Sequence, residues 1–427
     1  MKQIPSKIFS GLLSQTAKDT YWVFGSNILS AILAFVYIVF ITRKLGPSEF
    51  GVFSSIFAYS LLISDIAEFG IGSSLSRFLP PLYSRNENGK ALSFLKTSFI
   101  FILKIALIVS IGTIIFSGSL SEILLTSYIY SFLYIIAGFF IFGLILLSFN
   151  NYALSAQKKF VPVATLSFLT SLIKVILIAI FYFLEKLNLL WTIVIFAFSA
   201  FPVYILSFKF LKPEFIKAKE EKGNLRRLLS YTTFLGFSRL FSAVSSRLDI
   251  LMLVPLSSTF EGGIYSGAFK IASLYIMLSG SFGSVIAPRL AGFASKSEAY
   301  HYLKKVILAT GGIIVSILFA YLISPWIVVF ILGDKYELSV PVFQTLLIPM
   351  ALFVMSIPPV SYLLYTLKKP QVSTINTVMQ LIIVFTGNYF LIPKYGSYGP
   401  VISLGIAYFI SLIVSSSFAY YYHKKNE

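Results

Sequence analysis

The chain has 427 residues, of which 57% are hydrophobic and 12% charged, and its formal net charge is +18. This apolar share exceeds that of ordinary soluble domains, which predicts a membrane protein. The absence of cysteine excludes disulfides and thiolate metal sites, and two histidines make a metal centre improbable. We therefore expect neither a metal nor another cofactor, and we predict that the protein is not an enzyme.

Twelve apolar stretches follow one another along the chain, each near the roughly 20 residues that a helix needs to cross a bilayer. Because backbone groups in lipid must bond within their own segment, these stretches are expected to be helices. They lie at 20–41, 51–76, 92–118, 124–149, 162–184, 189–211, 228–255, 262–287, 305–332, 340–366, 372–393 and 398–422. The pattern predicts an all-α polytopic membrane protein.

Two segments outside the spans divide the chain. Residues 1–19 are basic and mildly amphipathic but lack the features of a cleaved signal peptide, so we expect them to lie on the cytoplasmic surface of the mature protein. Residues 212–227 carry mixed charges and are predicted to form a cytoplasmic connecting segment with a surface helix. The remaining residues then form two six-helix bundles, 20–211 and 228–427.

The basic residues lie mainly on one side of the predicted membrane. Of the 34 Lys and Arg residues, 24 fall in connections on the side of the amino terminus and 5 in the opposite connections. The positive-inside rule therefore places both termini in the cytoplasm. Anionic headgroups explain most of the excess charge, so no nucleic-acid partner is expected.

The two halves of the chain resemble each other. GVFSSIFAYSLL at 51–62 matches GIYSGAFKIASL at 263–274, and Arg77 matches Arg289, both at an offset of 212 residues. An even number of spans per half makes the repeats parallel, which is one of the two symmetry classes of transporters. Two such bundles allow alternating access by a rocking motion.

Charged residues inside the spans are costly and are therefore candidates for function. Eight occur there: Asp65, Glu68, Lys104, Lys174, Arg239, Arg247, Asp249 and Lys270. Lys104 is close enough to the cytoplasm to be an anchor. Lys174 is near mid-depth, which favours a cavity or a carboxylate partner.

Alternative roles remain open for two of the three acidic residues, Glu68 and Asp249. Asp65 is predicted to face a cavity, whereas Glu68 either shares that face or reaches the membrane surface. Asp249 and Lys270 are predicted at similar depth, as either a structural ion pair or an element of transport.

The intramembrane balance of five cations and three anions predicts an anionic cargo, since arginine in particular binds phosphate. Further polar candidates for binding sugar hydroxyls are Asn27, Asn376, Gln380 and Asn388.

Two signature regions add a family resemblance. The turn RKLGPSEFGVFS, the segment DIAEFGIGSSLSRFLP, the repeat and an Arg-Leu-Asp sequence in the seventh span together resemble the polysaccharide repeat-unit flippases of the multidrug/oligosaccharidyl-lipid/polysaccharide exporter superfamily. The resemblance implies two six-helix bundles around a central cavity, as in multidrug exporters of the MATE type. It also implies transfer of a polyprenyl-linked oligosaccharide to the outer leaflet of a prokaryotic plasma membrane.

In that family cationic cavity residues hold the cargo. By location, the resemblance assigns this role to Lys174, Arg239, Arg247 and Lys270, and Asp65 or Asp249 would bind a coupling H⁺ or Na⁺. Partner polymerases or glycosyltransferases are a further implication. The alternatives are a drug or cation antiporter of the same superfamily and, from another class, a membrane glycosyltransferase or polysaccharide polymerase.

Overall fold

The computed structural model describes residues 15–293 and 295–425, without the side chains of residues 15–20, 234–235, 237–239 and 296–297. These residues form seventeen α-helices and no β-strand. Eleven helical stretches in this part of the chain are long and apolar enough to cross a membrane. The all-α polytopic fold predicted from the sequence is confirmed, while residues 1–14 of the predicted amino-terminal segment lie outside the described residues.

The chain divides into two compact units. Unit 1 comprises residues 15–44, 59–122 and 127–240. Its helices are α1 (Gln15–Leu45), the later part of α2 (Pro47–Glu68), α3 (Ile71–Ser84), α4 (Asn88–Ile115), most of α5 (Ser117–Leu125), α6 (Ser131–Ala156), α7 (Phe160–Phe183), α8 (Leu189–Phe198), α9 (Ala200–Ser207) and most of α10 (Asn224–Ser245).

Unit 2 comprises residues 45–58, 123–126 and 241–425. It contains the first part of α2 and the end of α10. Its other helices are α11 (Leu248–Leu256), α12 (Thr259–Gly292), α13 (Lys296–Leu322), α14 (Ser324–Leu332), α15 (Ser339–Ser361), α16 (Pro370–Tyr395) and α17 (Tyr398–Lys425). The compact units therefore differ from the predicted halves, since residues 45–58 pack with helices from the second half of the sequence.

The helix order supports the predicted duplication. A long helix, a nine-residue helix and a short 3₁₀ turn follow one another as α4, α5 and Tyr128–Tyr130, and again as α13, α14 and Asp334–Tyr336. The starts of α4 and α13 differ by 208 residues (88 and 296). At the same offset ALSFLKTSFI at 91–100 matches AYHYLKKVIL at 299–308. The repeat thus extends from sequence to secondary structure.

Local sequence signals explain several helix boundaries. Gly46 has φ +76° and separates α1 from α2, which begins at Pro47, where a proline is well tolerated. Ser258 and Ser295 cap α12 and α13 by accepting the backbone N–H of a glutamate three residues later, at 3.1 Å in both cases.

The two units are packed around different helices. In unit 1, 16 of the 26 residues of α6 are buried, so protein rather than lipid surrounds most of this helix. Unit 2 has smaller cores. One of them consists of Leu248, Val384, Leu404 and Ala407 and lies beside the joint between α10 and α11.

Three predicted segments need correction. The predicted span 51–76 is broken at Phe69 and Gly70, and span 228–255 at Ser246 and Arg247, while span 305–332 ends at Leu322 before a separate helix. Gly70 has φ +78°, a backbone conformation that interrupts an α-helix and suits glycine.

The helix predicted for the cytoplasmic connecting segment 212–227 is wrong. Only Pro213–Lys217 forms a 3₁₀ helix there, and α10 starts at Asn224. Unit 1 holds this segment instead through the Ser93 hydroxyl, which accepts the Glu221 N–H at 2.9 Å and the Asn224 amide at 3.1 Å. The segment is therefore a packed connection, because its polar groups bond to α4.

Candidate functional site

The joint between α10 and α11 carries the main cluster of intramembrane charges. Arg247 is one of the two non-helical residues there, with φ −134° and ψ 0°, and Asp249 is in the first turn of α11. Interrupted membrane helices expose backbone groups and side chains that a continuous helix would cover, and transporters use such breaks to bind cargo and ions. The sequence did not predict this break, because the stretch is apolar on both sides of it.

Asp249 is buried and held by its neighbours. The Tyr265 hydroxyl on α12 donates to one carboxylate oxygen at 2.5 Å, and the Ile250 N–H donates to the other at 2.8 Å. Within the described residues Asp249 and Lys270 form no salt bridge, so the predicted Asp249–Lys270 ion pair is wrong. Tyr265 provides the hydrogen-bond donor to the carboxylate instead, and it lies five residues before Lys270 on α12.

Lys270 instead faces an aromatic ring and another cation. Its ammonium is 5.8 Å from the centroid of the Phe57 ring, which lies in the part of α2 that belongs to unit 2. Arg247 is close enough for its charge to act on both Lys270 and Asp249. Two cations and one anion thus share this region, and hydrogen bonds to the anion come from Tyr265 and the backbone. The resulting local charge is positive.

Lys174 lies in unit 1, on α7. Its ammonium is 4.7 Å from the centroid of the Phe196 ring. The Phe196 and Tyr37 rings are nearly perpendicular, with their centroids 5.2 Å apart. A cation over an aromatic face is stabilised by the negative charge density of the ring. The sequence left a cavity or a carboxylate partner as alternatives for Lys174, and the structure adds this aromatic contact.

The two acidic residues on α2 have different surroundings. Glu68 is buried and accepts a hydrogen bond from the Tyr152 hydroxyl at 2.8 Å, whereas Asp65 is partly exposed. Glu68 is therefore not a surface residue. It is the last residue of α2, and the break at Gly70 begins immediately after it.

A groove of about 320 Å³ in unit 1 lies next to this glutamate. Its lining consists of Gly72, Ser73, Ser76, Arg77, Tyr152 and Tyr231. The Arg77 guanidinium stacks over the Tyr231 ring at 4.4 Å from its centroid. Hydroxyls, an aromatic face and a planar cation are groups that bind sugars and phosphates.

The other predicted residues have varied surroundings. Asn27 is exposed on α1, Gln380 is partly exposed on α16, and Lys104 is exposed on α4. Asn376 is buried and donates to the Ser415 hydroxyl at 2.7 Å, so its amide takes part in helix packing. Arg239 is in α10, but its side chain lies outside the described residues.

Sequence reasoning missed the tyrosines that hold the buried carboxylates. Tyr265 was noted only as part of the repeated GIYSG segment, and Tyr152 falls in an aromatic-rich span where nothing distinguishes it. The available signal was the cost of a buried carboxylate, which demands a donor close by. The sequence contains 26 tyrosines, too many to select one.

A comparison with protein families decides the classification. Residues 16–294, more than half of the chain, match the family described as "Polysaccharide biosynthesis protein". The chain belongs to this family. It is thus a multi-pass membrane protein of the polysaccharide biosynthesis family, and the resemblance seen in the two signature regions is confirmed.

Similarity to individual proteins agrees with this membership. The chain is 20% identical over 421 residues to the "Probable low-salt glycan biosynthesis flippase Agl15" of Haloferax volcanii, covering 94% of this chain and 83% of that relative.

Two solved structures share the fold. An inward-facing multidrug resistance MATE family transporter of the MOP superfamily has a TM-score of 0.74 at 15% identity, covering 93% of this chain and 96% of its own. The lipid II flippase MurJ in an inward closed conformation has a TM-score of 0.72 at 16% identity, covering 92% and 86%. The MATE-like fold expected from the sequence is confirmed.

Proposed function

We propose that this protein is a flippase that moves a polyprenyl-(pyro)phosphate-linked oligosaccharide from the cytoplasmic to the outer leaflet by alternating access. The observation that carries the proposal is the match of residues 16–294 to a polysaccharide biosynthesis family, in a chain whose described residues include eleven candidate spans. A relative described as a probable glycan biosynthesis flippase supports it.

The charges at the α10–α11 joint suit such a cargo. Arg247 and Lys270 provide two cations against the single carboxylate of Asp249, whose oxygens already accept hydrogen bonds. A phosphate or pyrophosphate would gain charge-assisted hydrogen bonds from these side chains. We assign cargo binding to Lys174, Arg239, Arg247 and Lys270, and polar contacts with sugars to Asn27 and Gln380.

The coupling step is assigned to the acidic residues. Asp249 or Asp65 would take up H⁺ or Na⁺ during the cycle. The distribution of basic residues supports cytoplasmic termini in a prokaryotic plasma membrane, and two six-helix bundles, 20–211 and 228–427, would rock against each other. Polymerases or glycosyltransferases of the same assembly route are the expected partners.

A drug or cation antiporter of the same fold is the second candidate. Such a protein would need a carboxylate free to meet a cationic drug. At the α10–α11 joint the carboxylate of Asp249 instead accepts a hydrogen bond from Tyr265 and lies near the charge of Arg247, which favours anionic cargo.

A proteoliposome assay tests the flippase proposal. The purified protein is reconstituted with a fluorescent polyprenyl-pyrophosphate-linked oligosaccharide, and its arrival in the opposite leaflet is followed by enzymatic or chemical quenching. We expect transfer by the wild type and at least about a tenfold loss in Arg247→Ala and Lys174→Ala, since each removes a charge-assisted contact.

Lys104→Ala is the matched control, because Lys104 is a lysine inside a span but is exposed on α4. This variant is expected to transfer the cargo at the wild-type rate. Wild-type rates in both Arg247→Ala and Lys174→Ala would refute the residue assignment. The absence of any protein-dependent transfer, together with efflux of a cationic drug, would refute the flippase proposal in favour of the antiporter.

A further inference from the structure

A second polar cavity lies in unit 1, at the ends of several helices. Its volume is about 600 Å³, within the range of small-molecule sites. The end of α3, the start of α4, the end of α6 and the connecting segment after Leu211 form its walls. None of the candidate cargo residues lines it.

The cavity is strongly basic. Lys158, Lys159 and Lys212 line it together with one acidic residue, Glu214. In the part of the chain that the structure describes, Lys158, Lys212 and Glu214 form no salt bridge, so Glu214 does not neutralise the lysines directly. Lys159 donates a hydrogen bond to the Phe210 carbonyl at 2.9 Å and so links the turn after α6 to the segment after α9. The lining has three positive charges and one negative charge.

Neutral hydrogen-bond donors accompany these charges. The Tyr83 hydroxyl accepts the Gln157 amide at 3.2 Å, which directs the oxygen towards Gln157 and leaves the hydroxyl proton for another acceptor. Burial raises the pKa of Tyr83, although the bond from Gln157 opposes this shift, so the phenol stays protonated. Asn88 adds an amide to the same wall. Ammonium, phenol and amide donors around one space suit an anion with several oxygens.

The backbone at Lys158 is unusual. Its φ is +60°, a left-handed conformation in which glycine is favoured and a lysine costs conformational energy. A lysine after the carboxyl end of α6 also interacts favourably with the helix dipole, which is a purely structural reason for its presence. If Lys158 instead serves to bind a ligand, replacing it with glycine should weaken ligand binding without disturbing the backbone.

We infer that this cavity binds the phosphate group of an anionic ligand, either an anionic phospholipid headgroup or a soluble organic phosphate. Basic pockets at the cytoplasmic ends of membrane helices bind anionic headgroups by the same chemistry. The inference does not depend on the flippase proposal, because the cavity shares no residue with the assigned cargo site.

Two probes distinguish the two sources of phosphate. Radiolabelled inorganic pyrophosphate is measured by equilibrium dialysis with the full-length protein in phosphatidylcholine nanodiscs. Phosphatidylglycerol retention is measured by native mass spectrometry after reconstitution in nanodiscs that contain this lipid. Each probe is applied to wild type, Lys158→Gly and Lys158→Gly/Lys212→Gln.

Lys158→Gly keeps a backbone that glycine favours, so we expect it to fold at least as well as wild type. Lys368→Gly is the matched control, because Lys368 also has a left-handed φ, +54°, but belongs to unit 2 and does not line the cavity. We expect at least about a tenfold loss of binding in the double variant and wild-type binding in Lys368→Gly.

Loss of pyrophosphate binding in the double variant would identify a soluble phosphate, and loss of phosphatidylglycerol retention alone would identify a lipid headgroup. The inference is overturned if the wild type binds neither probe. It is also overturned if the double variant binds both probes like the wild type, or if Lys368→Gly loses as much binding.

Discussion

Gly51 and Gly263 are equivalent positions of the two sequence repeats, and they cross each other at backbone contact. A Cβ atom on Gly51 would lie 1.8 Å from the Thr259 carbonyl oxygen, and one on Gly263 would lie 1.8 Å from the Pro47 carbonyl oxygen. Thr259 is itself 212 residues after Pro47, so the contact is reciprocal. This local twofold relationship between α2 and α12 within unit 2 supports duplication at the level of atoms.

Methyl groups at this crossing should separate the two helices. Gly51→Ala and Gly263→Ala are each expected to lower stability by about 2 kcal/mol or more, since a backbone carbonyl cannot rotate away as a side chain can. Thermal unfolding followed by size-exclusion chromatography measures the effect. Gly280→Ala is the control, because a Cβ there meets nothing within 4 Å. Equal stability of all three variants would contradict the close crossing.

The Asp249–Tyr265 bond should appear as an energetic coupling. Tyr265→Phe leaves a buried carboxylate without a strong donor and is expected to cost about 1–3 kcal/mol. In a double-mutant cycle with Asp249→Asn, the double variant should lose about 1 kcal/mol less stability than the sum of the two single losses. Thermal unfolding in detergent provides the free energies.

Tyr275→Phe is the control for this cycle. The Tyr275 hydroxyl also donates a hydrogen bond, to the Ser316 carbonyl, but at an exposed position. We expect its loss to change stability by no more than about 0.5 kcal/mol. Strict additivity between Tyr265→Phe and Asp249→Asn would show that the two side chains are not coupled.

The connecting segment should loosen when Ser93 is changed. Ser93→Ala removes the acceptor of two hydrogen bonds, from the Glu221 N–H and the Asn224 amide. The loss should lower the free energy of local opening of the segment by about 1–2 kcal/mol. Trypsin should then cleave at Lys219 and Lys222 about ten times faster.

Ser84→Ala serves as the comparison for that proteolysis experiment, because the Ser84 hydroxyl bonds to the Pro81 carbonyl of its own helix and is exposed. Cleavage rates are read from the disappearance of the intact chain on gels. If Ser93→Ala and Ser84→Ala are cleaved equally fast, Ser93 does not hold the segment.

The sequence predicted much of the fold because lipid restricts the choices. Backbone hydrogen bonds must be satisfied inside each span, so a run of apolar residues such as 372–393 translates directly into a helix, here α16. The repeat was also visible, since Gly51 and Gly263 are required by close packing and therefore stand out in both halves.

The interior of the candidate site was less predictable. The break at Arg247 falls in a stretch whose flanks are both helical, and no proline or glycine adjoins it to mark the interruption. Charge and similar depth suggested Lys270 as the partner of Asp249, whereas the packing of α11 on α12 brings Tyr265, five residues before Lys270, to the carboxylate. Helical segments and depths follow from sequence, but rotation about each helix axis depends on tertiary packing.

The most direct test of an electropositive cargo site is whether the protein transfers a lipid with a charged headgroup faster than one with a neutral headgroup. Proteoliposomes are loaded with two lipids of equal tail and sugar, one pyrophosphate-linked and one neutral, and both transfer rates are measured for wild type and Arg247→Gln/Lys270→Gln. We predict that the wild type transfers the pyrophosphate-linked lipid at least about ten times faster and that the double variant loses this preference. Equal rates for the two lipids with the wild-type protein would contradict the proposed site.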